Sequence, residues 1–121
     1  MQNPGVPASP AVHLFYPPQL ADSEILRQLC LGLEEQGVPC RRSPQENATG
    51  ALHLARLAAQ SSALRVGLGV AANGDVALTH AQYPADRALR VCPAASTPAQ
   101  LRNLGANAGQ LVKVIPFSEC Q

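Results

Sequence analysis

AVHLFYPPQLADSEILRQLCLGLEEQGVPCR, residues 11–41, reads as a strand, a helix and a second strand. Ala11 to Tyr16 is a short apolar strand, closed by Pro17 and Pro18, which lack the N–H needed to continue a ladder. Asp22 or Ser23 offers an N-cap, and Glu24 stands in the first turn, where the helix dipole favours an anion. A helix over about 23–36 follows, with Gly37 as its stop and Val38-Pro39-Cys40-Arg41 as the next strand. Turning the helix by about 100° per residue gathers Ile25, Leu26, Leu29, Cys30 and Leu33 into one stripe. Glu24, Arg27, Gln28, Leu31 and Glu35 fall on the other side, so one face is core and the other is not.

The alternation continues outward from this unit. Arg42 to Asn47 is polar and reads as a loop, with Asn47 or Thr49 able to cap a helix over about 48–61. In that helix Ala48, Ala51, Leu52, Leu54, Ala55, Leu57, Ala58 and Ala59 leave only His53, Arg56 and Gln60 as a polar seam. Such a helix is expected to be covered on more than one side, by the fold or by a second subunit. Leu64–Val70 is a buried strand, Gly74–His80 another after an Ala-Asn-Gly turn, and Ala88–Cys92 a third. Thr97 caps a last helix with Pro98 at its first position. Leu101, Leu104, Ala108, Leu111 and Val112 form its apolar stripe, and Arg102, Asn103, Gln110 and Lys113 face away. Strands alternating with helices predict an α/β fold, a small, open, mostly parallel sheet sandwiched by helices. Residues 1–9, rich in Pro, Gly and Ser, read as a flexible leader, and 10–121 as one domain.

Composition bounds the function. Of the 121 residues 46% are apolar and 3% aromatic, with no Trp, so the core is aliphatic and a base-stacking nucleic-acid platform is excluded. Nine Lys and Arg against eight Asp and Glu give a net charge of +1, too little to collect nucleic acid or anionic lipid. Charged residues are only 14% of the chain, against about a quarter in ordinary soluble domains, which suggests a surface partly covered by a partner. No apolar run is long enough to span a membrane, and the N-terminus lacks the basic and apolar regions of an export signal. Cys30, Cys40, Cys92 and Cys120 contain no C-x-x-C pair and no neighbouring His, so they read as free thiols in a reducing cytoplasm rather than a metal or redox centre.

Catalytic signatures are sparse. Gly67-Leu68-Gly69 ends a strand but no third glycine opens a helix, and close backbone packing accounts for the pair better than a phosphate loop does. His13, His53 and His80 lie on three elements and read as structural histidines. Ser61-Ser62 lacks a nucleophile elbow and reads as helix-terminal punctuation. Glu34 and Glu35 point about 100° apart on a helix, so at most one serves a given ion. Leu31 and Glu35, one turn apart on the side opposite the core, mark either a docking site or a solvated face with one stray leucine.

Three stretches bear on that choice. Gly32-Leu33-Glu34-Glu35-Gln36-Gly37-Val38-Pro39 resembles the G-I-E-E-x-G-I-P segment of the small subunit of the diol and glycerol dehydratase reactivating factors. Ser62 to Val70 resembles that subunit's S-x-L-x-V-G-I strand. Arg102 to Phe117 is similar to its C-terminal R-N-x-G-x-N-A-A-R-L-V-K-G-x-P-F. The resemblance spans residues 10–118. Cys40 stands where the family usually has an aromatic, Gln110 where it has Arg, and Val114 where it has Gly.

The resemblance implies a fold like that of the dehydratase medium (beta) subunit and a non-catalytic role in an ATP-dependent chaperone. That chaperone releases damaged cobalamin from adenosylcobalamin-dependent dehydratase by exchanging subunits. It implies a large, actin-like ATPase subunit as partner, the dehydratase large subunit as a transient one, and a cytoplasmic location, with a bacterial microcompartment left open. It places Mg2+ at the contact with the large subunit, completed by Glu35, and neither cobalamin nor nucleotide on this chain alone. Leu31 and Glu35 are then the expected partner interface. The alternatives are the dehydratase medium subunit itself and a free-standing flavodoxin-like or receiver-like module.

Overall fold

The computed structural model describes residues 10–47 and 49–114; the leader over 1–9 and the end of the last quoted block lie outside them. The elements run β1 (Val12–Tyr16), a 3-10 turn (Pro18–Leu20), α1 (Glu24–Glu35), β2 (Cys40–Pro44), α2 (Ala51–Ser61), β3 (Val66–Val70), β4 (Val76–His80), β5 (Arg90–Cys92) and α3 (Pro98–Val114). The five strands form one sheet in the order β2-β1-β3-β4-β5. β1 pairs in parallel with β2 and β3, whereas β3–β4 and β4–β5 are antiparallel. Four strands therefore point one way and only β4 opposes them, giving a mixed α/β sheet. The opposed strand separates it from an all-parallel flavodoxin-like or receiver-like sheet, which shares this strand order.

Right-handed crossovers explain the layers. From β1 to β2 the chain steps one way across the sheet, and from β2 to β3 it returns past β1, so α1 and α2 land on opposite faces. α3 packs beside α1. Between these two helices and the sheet lies the main core, built from alternate residues of the strands: Val12, Leu14 and Tyr16, then Val66, Leu68 and Val70, then Val76 and Leu78. Leu26, Leu29 and Leu33 of α1 and Leu101, Leu104 and Ala108 of α3 complete it. Each fully buried leucine there contributes about 2 kcal/mol by leaving water.

The opposite face of β3 is glycine. A Cβ on Gly67 or Gly69 would overlap backbone atoms of Ala51, Ala55 and Ala59, so α2 lies directly on the strand and the packing reading of these glycines holds. Leu54, Ala55, Ala58 and Ala59 are buried there, while His53, Leu57 and Gln60 are exposed. Among the described residues the fold thus covers α2 on one side only.

Several local expectations change. β2 runs past Arg41 to Pro44, through Arg42 and Ser43, which the polar composition had assigned to a loop. An edge strand needs only one neighbour, here β1 with Val12 opposite Cys40 and Tyr16 opposite Pro44, and its outer side tolerates charge and proline. Gly50, not Asn47 or Thr49, is the N-cap of α2. Gln28, expected outside, is buried, and its amide donates to the Glu24 carboxylate one turn back at 2.5 Å.

Candidate functional site

The end of α1 is defined by its own sequence. Ser23 Oγ accepts from the Ile25 N–H at 3.0 Å and starts the helix. At the other end Gly37, with φ of +75°, lets its N–H reach the Glu34 carbonyl and the Val38 N–H reach the Leu33 carbonyl, a Schellman closure. α3 begins equally sharply: Thr97 Oγ1 accepts from the Gln100 N–H at 3.1 Å while the Gln100 amide oxygen accepts from the Thr97 N–H at 2.8 Å, with Pro98 in the first turn.

The two helices touch backbone to backbone. A Cβ on Gly32 would meet the Arg102 carbonyl and the Ala106 nitrogen, and one on Gly105 would meet Leu29. That crossing brings Arg102 beside Glu35, Nη1 to Oε2 3.6 Å, with both side chains about half exposed. About three turns further along α3, Lys113 Nζ donates to Gln36 Oε1 at 3.2 Å. Glu34 is exposed too but lies on the flank facing Cys30 and Cys40, so the adjacent carboxylates serve different surroundings. Leu31 is half-buried rather than fully solvent-facing, and it stands outside the main core cluster. Leu31 and Glu35 thus share the outer side of α1, and Arg102 joins them from α3. No feature of the sequence announces Arg102 as a partner of Glu35, because the pair spans 67 positions (102 − 35) and depends on the helix crossing.

Other candidates resolve into structure. Ser61 Oγ donates to the Ala58 carbonyl at 2.9 Å and lies 2.6 Å from His13 Nδ1. Ser62, buried as the C-cap of α2, donates to the Ala11 carbonyl and accepts from the Leu64 N–H. His80 Nδ1 accepts from the Gln82 N–H at 3.1 Å. Partial burial, and then the charges of Arg41 and Arg65 respectively, hold His13 and His80 below the ordinary imidazole value. Among the described residues no three His, Cys, Asp or Glu side chains group as metal ligands. A cleft of about 580 Å³ opens between Gly50–Leu52 and Val91–Pro93 away from the α1–α3 seam, and among the described residues that line it only Asp75 is ionised. Among the described residues no helix is long and apolar enough to cross a membrane.

A family model described as dehydratase medium subunit matches residues 9–118. Over 112 residues, 93% of this chain and 96% of the relative, the sequence is 59% identical to the probable glycerol dehydratase-reactivating factor small subunit of Citrobacter freundii. The chain belongs to the family of dehydratase-reactivating factor small subunits. Within that family it is also 32% identical to the propanediol dehydratase-reactivating factor small subunit of the same organism, with 93% of each chain covered. A solved glycerol dehydratase reactivase chain superposes with a TM-score of 0.84 at 51% identity, covering 93% of this chain and all of that one. A chain of diol dehydratase-reactivating factor complexed with ADP and Mg2+ superposes at 0.78 with 30% identity, covering 91% and 98%. The resemblance of the three stretches is thereby upheld, and the structure gives two of them a joint physical reason. Gly32 of the G-L-E-E segment and Gly105 of the R-N-L-G segment are the contact points of α1 and α3.

Proposed function

We propose that this chain is the non-catalytic small subunit of an ATP-dependent reactivating factor for adenosylcobalamin-dependent glycerol or diol dehydratase. In this reading a large, actin-like subunit binds and hydrolyses ATP. The small subunit leaves it to take or contest the place of the dehydratase's own medium subunit, and damaged cobalamin escapes through the opened interface. The observation that carries the reading is 59% identity to a glycerol dehydratase-reactivating factor small subunit over 96% of that protein's length. The match to the dehydratase medium subunit family supports the exchange step, since a chain built like the medium subunit can present a competing surface.

Glu35 is assigned to the contact with the large subunit as a single-carboxylate ligand of Mg2+. A small, strongly hydrated ion that keeps several waters and takes one or two carboxylates suits a half-exposed glutamate that, among the described residues, belongs to no cluster of three potential ligands. Arg102 neutralises that carboxylate in the free subunit and has to release it when the ion binds. Leu31, one turn earlier, supplies an apolar anchor beside the charge. The reaction takes place in the cytoplasm, on partners of the same assembly. The test is co-purification of this chain with the large subunit from cells making both, in Mg2+ and in EDTA. A stable complex that EDTA weakens supports the assignment, and a chain that associates with dehydratase subunits but never with the large ATPase subunit would make it a dehydratase component instead.

A further inference from the structure

The turn that ends α1 also brings together two thiols that sequence spacing had kept apart. Cys30 stands on the core side of α1 and Cys40 is the first residue of β2; the chain reverses between them at Gly37-Val38-Pro39, and their Sγ atoms lie 2.7 Å apart. The S–S bond itself needs about 2.05 Å, so closing it asks for little movement of either side chain. Cys30 is 5% exposed, whereas Cys40 is partly open to solvent. Arg42, on the same side of β2 as Cys40, sets its positive charge near the Cys30 sulfur. Neither sulfur takes part in the Glu35–Arg102 seam, and Cys92 is occupied elsewhere, near the Gln100 carbonyl.

We propose that Cys30 and Cys40 are a reversible oxidation site that closes to an intrachain disulfide when the chain meets hydrogen peroxide. The Cys30 sulfur is the nucleophile: the contact with the Cys40 thiol, and then the Arg42 guanidinium, favour its thiolate. The Cys30 thiolate attacks one peroxide oxygen, the O–O bond breaks, and the departing hydroxide takes a proton to become water, leaving a sulfenic acid. Cys40 then gives up its proton and its sulfur attacks the Cys30 sulfur; the S–O bond breaks and the second oxygen leaves as water. Two thiols and one peroxide become one disulfide and two waters, with the two electrons passing from sulfur to peroxide. A dithiol reductant reverses the step by exchange.

Both cysteines fall in one tryptic peptide, Gln28 to Arg41, which makes the test direct. The full chain is treated with hydrogen peroxide, blocked with an alkylating reagent, digested and weighed. The expected result is that peptide lighter by two hydrogen atoms and unalkylated, restored to the doubly alkylated mass by prior dithiothreitol. Cys40→Ser is expected to abolish the loss and Cys92→Ser to leave it. Closing so short a ring is also expected to raise the melting temperature of the oxidised chain by on the order of 10 °C. Double alkylation after peroxide, or a Cys30 oxidised to sulfinic acid beside a free Cys40, would overturn the proposal.

Discussion

Replacing Gly105 with Ala sets two known effects against each other. In an exposed helix interior the change gains about 1 kcal/mol of helix propensity. Here, however, the new methyl would sit against the carbonyl and Cα of Leu29, atoms of the α1 backbone that no rotamer change can move. Relief requires the two helices to part, which loosens Leu29, Leu33, Leu101 and Leu104, all buried at that interface. Overpacking of this kind costs about 1–3 kcal/mol, and a backbone-to-backbone overlap belongs at or beyond the upper end. The net expectation is a loss of about 2 kcal/mol, or a melting temperature lower by roughly 5–10 °C. Thermal unfolding of the full chain followed by circular dichroism measures it, with Asn103→Ala, exposed on the same helix, as the control for propensity alone. A Gly105→Ala chain as stable as the parent, or stabilised like the control, would show that α1 and α3 do not touch through their glycines.

Further outcomes follow from the same geometry. Glu35→Ala removes an ion pair whose partners are each about half exposed, so stability is expected to change by less than about 1 kcal/mol; Mg2+-dependent pairing with the large subunit is expected to weaken in pull-down, and Glu34→Ala to do less. Leu31→Lys is expected to cost about 1 kcal/mol or less in thermal unfolding, because the side chain is half-buried and a lysine stem can lie along the same surface, yet to impair capture by the large subunit. Loss of folding would place Leu31 in the core, and intact capture would move the docking surface elsewhere. His13 and His80 titrate below their unfolded value, so the native state prefers them neutral. Their contribution is full above about pH 6.5 and is lost as pH falls through the folded values, so the melting temperature is expected to drop from pH 7 to pH 5, less so in His13→Gln.

Much of the fold is written locally. Ser23 and Gly37 bracket α1, Thr97 and Pro98 open α3, and the apolar run Val66–Val70 becomes the strand buried on both faces, because each signal acts within a few residues of itself. What escapes a linear reading depends on contacts between distant segments. Arg42 and Ser43 look like loop residues until β1 offers them an edge to pair with. Gln28 looks exposed by angle, yet Glu24 satisfies its amide and lets it be buried. The candidate site divides in the same way. Leu31 and Glu35 are one turn apart in the sequence and their shared side follows from helical phase. Arg102 comes to Glu35, and Cys40 to Cys30, only because glycines let helices close up and a tight turn folds β2 back along α1.

The central claim is tested most directly by reactivation itself. Dehydratase inactivated by glycerol turnover is incubated with adenosylcobalamin, ATP and Mg2+, together with the large subunit, this chain, both or neither, and its activity is then assayed. The account predicts recovery only when both subunits are present, and a much reduced recovery when this chain carries Leu31→Lys. Full recovery with the large subunit alone, or none with a stable complex of the two, would contradict it.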